Sequence, residues 1–271
     1  MDVASALHDI LKRNVENLTF SDNMYCRETF FEEAIVEDFV GWCDINAIPA
    51  QIELILRSCE IDAPSAVLDV ACGHGKHAEV LHSEGHRVTA TDISATLIDF
   101  LTRKHQGEIT FLKRSFSEMD FDTAFDLIIV LGNSLSLVPE DKCKGALRRL
   151  NNVLASNGRL FIELDNPLYF IENEAGKKHW TKHTDRWLDL SEHHYDPVQK
   201  LEKSRDVSID FYKGTVKEYA VTKRLYTYDE FHSLLMESGL EVVNCFGDWD
   251  GTDHSPDSQR QLFVAKRKGG I

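Results

Sequence analysis

The stretch from Val67 to Leu81 reads VLDVACGHGKHAEVL. An apolar run ends at Cys72, two glycines follow with one residue between them, and a helical pattern opens near position 75. A strand-to-helix turn at the carboxyl edge of a parallel sheet offers free backbone N–H groups and the positive end of a helix dipole. Gly73 and Gly75 remove the side chains that would keep a ligand off that turn. Asp69 sits inside the strand, where a buried acid can brace the loop amides or face a cationic ligand through water. One βα unit later, Asp92 ends the next strand, the position from which a carboxylate takes both hydroxyls of a ribose. Together these features describe an adenosine site.

The rhythm around this stretch gives the fold class. AVLDVAC (66–72), HRVTATD (86–92), ITFLKR (109–114), FDLIIVLG (125–132) and GRLFIELD (158–165) read as strands. Helical patterns over about 75–84, 95–105 and 140–155 separate them. Such alternation builds an α/β protein with a parallel sheet and helices on both faces. After Asp165 the pattern changes. Residues 186–226 read as three antiparallel strands, turning at Asp196-Pro197 and Lys213-Gly214. A helix over 227–238, then LEVVNCFGD and RQLFVAKRK, completes the main sheet. Ahead of it, 3–18, about 27–41 and a stretch after Pro49 read as helices. The expected organisation is a helical cap over 1–59, a core over 60–171, an antiparallel β lid over 172–226 and a C-terminal completion of the sheet over 227–271.

Bulk properties narrow the partners. The 271 residues carry a formal net charge of −15, which repels phosphate backbones and anionic membranes. A small-molecule substrate, neutral or cationic, is expected; nucleic acid and membrane are not. Oligomeric state is not legible. The six cysteines include no C-x-x-C pair and read as reduced thiols of a cytoplasmic protein. The N-terminal MDVASALHDILKRNVENL lacks the apolar segment of a signal peptide.

Two cofactor classes share the loop geometry. Gly73-x-Gly75-x-x-Ala78 satisfies a loose dinucleotide fingerprint. Against a nicotinamide cofactor, the first glycine comes one residue late, no second nucleotide-binding half follows Leu131, and a pyrophosphate does not explain Asp69. LDVACGHG, VTATDIS, FDLIIVLGNSLSLVP and LNNVLASNGRLFIELDNP, taken in order, resemble the class I S-adenosylmethionine-dependent methyltransferases. The resemblance covers about 60–171 and is nearest the small-molecule, glycine N-methyltransferase-like members. It implies a Rossmann-like seven-stranded sheet with an antiparallel C-terminal strand, and S-adenosyl-L-methionine as cofactor. By position it places Ala71, Gly73 and Gly75 at the methionine part, Asp92 on the ribose and Ile93 on the adenine, with Asp69 a further cofactor-binding candidate. Ser115 falls near the adenine amine, Phe116 stacks on the base, and the Leu131 carbonyl meets the methionine amine.

For the acceptor, the resemblance points to Asn133, and Glu163, Asp165 and Asn166 follow the fifth strand. The stretch ELDNPLYF lacks the carboxylate-binding arginine of the glycine enzymes. An acidic pocket favours an amine acceptor. Asp165-Asn166 also resembles the metal pair of catechol O-methyltransferases, but Leu131-Gly132-Asn133 lacks their further aspartate, so no metal is expected. The lid aromatics, Trp180, Trp187, Tyr195, Phe211, Tyr212 and Tyr226 among them, can wall a small apolar pocket, while each taken singly is expected to hold the hairpins together. His193 or His194 is the candidate base for a hydroxyl acceptor, and strand alternation lets only one face inward. Tyr195 and Arg224 are further acceptor candidates. The expected activity is methyl transfer to an amine nitrogen. O-methylation with a lid histidine base, or a non-catalytic cofactor-binding subunit, are the alternatives.

Overall fold

The computed structural model describes residues 44–182 and 185–269. The helices expected over 3–18 and 27–41, and Tyr25, Arg27, Phe30, Phe31 and Trp42, lie outside the described residues.

Helix α1 (Ile48–Cys59) starts with proline in its first turn, where a missing N–H costs nothing. It buries Ile48, Ile52, Ile55 and Cys59 along one stripe. Strand β1 (Ala66–Val70), α2 (Lys76–Ser83), β2 (Arg87–Asp92), α3 (Ala95–His105), β3 (Thr110–Lys113), β4 (Phe125–Val130), α4 (Glu140–Val153) and β5 (Leu154–Asp165) follow. The main sheet has seven strands in the order β10-β11-β5-β4-β1-β2-β3, with β10 (Leu240–Phe246) and β11 (Arg260–Arg267) closing the chain. Strands β1 to β5 pair in parallel, and β11 runs antiparallel to both neighbours. That is the sheet expected from the sequence. Strand β1 sits between β2 and β4, so consecutive strands leave it on opposite sides and a crevice opens at its carboxyl end.

Strand alternation divides the core. Leu68, Val70, Ile128, Val130, Leu160 and Ile162 pack against α4 and α6 (Tyr228–Glu237). Val67, Ala90, Leu127, Ile129 and Phe161 pack against α1, α2 and α3. Asp69, Asp92, Glu163 and Asp165 continue this second face beyond the apolar layer, toward the carboxyl edge.

The lid is a separate four-stranded antiparallel sheet, ordered β6 (Lys178–Lys182), β7 (Trp187–Asp196), β8 (Leu201–Asp210), β9 (Thr215–Arg224). The sequence reading has three strands here. The fourth, β6, is a five-residue edge strand, four of whose residues are exposed, so it lacks an apolar alternation. The reading also omits α5 (Pro167–Asn173). One lid face carries the cluster Leu188, Leu190, Val207, Ile209 and Val216. The other carries Ser191, His193, Glu202, Ser204, Asp206 and Lys223. Three expected pocket aromatics do not line a wall: Trp180, Phe211 and Tyr212 are 64%, 52% and 76% exposed. Among the described residues, no helix is long and apolar enough to cross a membrane.

Candidate functional site

The loop after β1 is held open by its backbone. Ala71, Gly73 and Gly75 have φ of 58°, 52° and 73°, so every second residue is left-handed. Alternation of this kind turns successive N–H groups toward one concavity. For Ala71 the conformation costs about 1–2 kcal/mol, a strain that concentrates at functional sites. Gly75 is also sterically required, because a Cβ there would stand 2.8 Å from Leu101 Cδ2.

Two buried acids flank the loop. Asp92 Oδ2 accepts the Gly73 N–H at 2.9 Å, and its Oδ1 accepts the Ser94 N–H at 2.9 Å. Ser94 in turn caps α3 by accepting the Leu97 N–H. Asp92 thus fixes loop and helix together, and Ile93 lies between these anchors. Asp69 is 3% exposed, and its Oδ2 meets no hydrogen-bond partner. Burial, then the charge of Asp92, pushes its carboxyl up to about 7 against the pull of the Ala78 amide. Burial also raises Asp92, against three backbone amides.

Across the crevice, Gly132 and Asn133 are both left-handed, at φ 63° and 58°. Asparagine tolerates that conformation better than most residues. Glu163 Oε2 accepts the Gly132 N–H at 2.7 Å, and its Oε1 accepts from Arg260 Nε at 3.2 Å. Burial raises the Glu163 carboxyl, against Gly132 and Arg260. Asn133 Oδ1 accepts the Asp165 N–H at 2.5 Å. The Asp165 carboxylate lies 3.4 Å from Lys223 Nζ on the lid, which reaches Glu202 at 2.8 Å. Glu202 pairs with His193 Nδ1 at 3.1 Å. Lys223 and Glu202, which carry this chain from core to lid, were missed in the sequence. Their alternation on β8 and β9 places them on the His193 face, but only the sheet register brings them to Asp165.

Several candidates stand differently from expectation. Asn166 is spent on structure: Nδ2 donates to the carbonyls of Ser255, Pro256 and Ser258, and Oδ1 caps α5 by accepting the Leu168 N–H. Arg224 is 4% exposed and turns away from Lys223, toward Glu140 and Glu230. The Ser115 hydroxyl serves a capping box with Glu118, and Phe116 packs against the core cluster of Leu68 and Val130. The Leu131 carbonyl already accepts from the Ser134 hydroxyl at 2.7 Å and the Ser134 N–H at 3.3 Å. Of the histidines, His193 shares the Lys223 face with Tyr195, whereas His194 lies on the opposite one. Burial lowers His193, but Glu202 outweighs it and holds the imidazole above its usual range. It is therefore an ion-pair partner of Glu202 and not a free base. Among the described residues, no group of three or more His, Cys, Asp or Glu is arranged to hold a metal.

Residues 67–158, which contain the left-handed loop, both acids and the Gly132–Asn133 turn, match the family model of a methyltransferase domain. This segment of the chain is a methyltransferase domain. The chain is 28% identical over 250 residues to the glycine/sarcosine N-methyltransferase of Parasynechococcus marenigrum (strain WH8102), spanning 85% of this chain and 84% of that one. The cypemycin N-terminal methyltransferase of a Streptomyces species is 26% identical over 208 residues, 74% of this chain and 83% of its own. In fold, the methyltransferase superposes on the CcbJ methyltransferase from Streptomyces caelestis with a TM-score of 0.78 at 17% identity, over 89% and 99% of the two chains.

Proposed function

We propose that this methyltransferase moves the methyl group of S-adenosyl-L-methionine to an amine nitrogen of a small molecule, by in-line displacement beneath the lid. The observation that carries the reading is the pairing of an open, left-handed glycine loop with two buried acids, one of them holding an oxygen without a partner. A cationic nucleoside fits both features. Ala71, Gly73 and Gly75 would line its methionine part, with Asp69 facing the positive end. Asp92 would take the ribose hydroxyls, exchanging or sharing its backbone donors. Ile93, Ser115 and Phe116 would border the adenine. The Leu131 carbonyl would receive the methionine amine in place of a Ser134 contact.

When bound, the sulfonium supplies an activated methyl and its own leaving group. The protein's residues then have to align the acceptor and exclude water. Asn133 and Asp165 stand at the ends of adjacent strands, where an acceptor amine would sit, and Glu163 shapes the turn beneath them. A neutral amine brings its own lone pair and needs no strong base, which suits a site whose nearest lid histidine is already paired with Glu202. A hydroxyl acceptor would need a base. Arg260 bears on the substrate too. The register sets it opposite Asp165, but its guanidinium is shared by Glu163 and Asp248. With two carboxylates on one arginine, the site favours a cationic acceptor over one recognised by a carboxylate. That separates it from a glycine substrate, although a relative acts on glycine and sarcosine.

The test is a screen of fractionated small-molecule extract with methyl-labelled cofactor, followed by mass identification. Label on a basic amine is the expected result. Label on a hydroxyl moves the acceptor to oxygen, and no label with cofactor bound returns a non-catalytic subunit.

A further inference from the structure

Asp69 and Asp92 are the two acids of the cofactor crevice, and they are not equivalent. Strands β1 and β2 pair in parallel with Asp69 opposite Ala90, so Asp92 lies two residues further toward the carboxyl edge of the same face. Asp92 is satisfied on both oxygens by backbone donors. Asp69 is 97% buried with one oxygen unpartnered, since its relative exposure is 3%. Among the described residues, no cation balances a carboxylate in that setting. On β4 its register neighbour is Ile129. The loop offers the Cys72 thiol, itself raised by burial and by both acids. On α2, burial and His74 bring His77 down to about 4, so its ring is neutral at pH 7, and in the loop before it burial and Lys76 lower His74. Lys76 is paired with Glu79. On the same face of β2 the one charged group is Asp92, of the same sign, since Arg87 starts the strand on the opposite face. Two like charges in one dry site do not both ionise easily.

We propose that Asp69 is a proton-linked cofactor sensor: buried without a partner for one oxygen, it holds a proton more tightly in the free enzyme than in the complex and gives it up when the cationic cofactor enters. The proposal rests on the S-adenosylmethionine reading. The ammonium and sulfonium of that cofactor would bring the positive charge that the described residues do not supply beside Asp69. The O–H bond of the acid breaks, the electron pair stays on the carboxylate, and the proton passes to solvent buffer. No oxidant or further reactant is involved. The sign follows: below the free-state value, which burial and Asp92 set at about 7, binding must expel a proton and weakens as pH falls. Above it, affinity is flat.

The experiment is calorimetric titration of the full-length protein with S-adenosylhomocysteine and S-adenosylmethionine, in two buffers of different ionisation enthalpy. The expected release is about 0.9 proton per cofactor at pH 6, about 0.5 at pH 7 and about 0.1 at pH 8. Affinity should rise about tenfold between pH 5 and pH 6. Asp69→Asn, which keeps shape and packing, should bind with the same apparent enthalpy in both buffers and with no such pH dependence. Binding heats independent of buffer in the wild-type protein would overturn the proposal while leaving the cofactor reading intact. An undiminished proton release in Asp69→Asn would overturn it too. Absence of any binding heat at every pH, with folded protein, would remove the cofactor reading and the proposal with it.

Discussion

Asn133 reaches across the ends of β4 and β5 to accept the backbone N–H of Asp165, so one side chain sets the distance between the two turns that border the crevice. Asn133→Ala removes that acceptor and places a less tolerant residue at φ 58°. The lost hydrogen bond costs about 1–3 kcal/mol if the N–H is left buried and unpaired. Turnover should fall at least about tenfold while cofactor affinity, read by calorimetry, stays within about twofold. Asn133→Gly, which relieves the backbone alone, should not recover turnover. A loss of cofactor affinity instead would move Asn133 to the cofactor side.

Asp92 has a structural duty and a proposed one on the ribose, and they can be separated. Asp92→Ala frees the Gly73 and Ser94 N–H groups and removes the proposed ribose acceptor. Hydrogen bonds to a charged group are worth about 1.5–3 kcal/mol, so cofactor binding should weaken at least about tenfold. Asp92→Asn retains an acceptor for one of the two amides and should melt above the alanine variant. Unchanged cofactor binding in both would sink the ribose assignment.

Gly75→Ala tests the shape of the loop without touching a charge. The added Cβ meets Leu101 Cδ2 at 2.8 Å in a left-handed residue at φ 73°. The conformation alone costs about 1–2 kcal/mol. A lower melting temperature and weaker cofactor binding are expected together. Leu101→Ala in the same chain relieves the clash but not the backbone, so rescue should be partial; full rescue would mean that the conformation carries no cost.

The lid should respond to pH through His193 and Glu202. His193 is held above its usual value by Glu202, so its contribution is complete below the unfolded value of about 6.5 and is lost as pH rises through the folded one. Burial raises Glu202, but Lys223 and His193 outweigh it and hold it below its usual value. Its contribution is present above about 4.3 and is lost as pH falls through the folded value. Hydrogen exchange of β7 and β8 should therefore quicken on the alkaline side beyond the intrinsic rate, and His193→Gln should abolish that pH dependence. Wild-type protection that stays level across the same range would contradict the pairing.

The main sheet was legible because each strand is an apolar run bounded by a helix of the right period, as in FDLIIV, whose last four residues are all buried. The glycine loop was legible in its glycines but not in Ala71, whose left-handed backbone has no signature in residue type. Asn166-Pro167 was read for its oxygen and nitrogen, yet an asparagine before a proline is also a helix start, and α5 begins there. Arg224 was misplaced because one partner, Glu140, lies 84 residues away in the chain. The same distance problem hid Lys223. Its pairing with Asp165 spans 58 residues and depends on the register of a second sheet. Three of the lid aromatics, Trp180, Phe211 and Tyr212, line no pocket for a simpler reason: aromatic residues in a hairpin tip or on an edge strand have solvent beside them.

The lid shares no strand with the main sheet, and it departs from and returns to the chain between α5 and α6. On the proposed reading, the loop that would hold the cofactor and the sheet that would cover the acceptor lie in different stretches of the polypeptide, with Asn133 and Asp165 at the join. A cassette from about 174 to 225, grafted with Asp165 and its lysine partner kept in register, would exchange the cover and leave the glycine loop untouched.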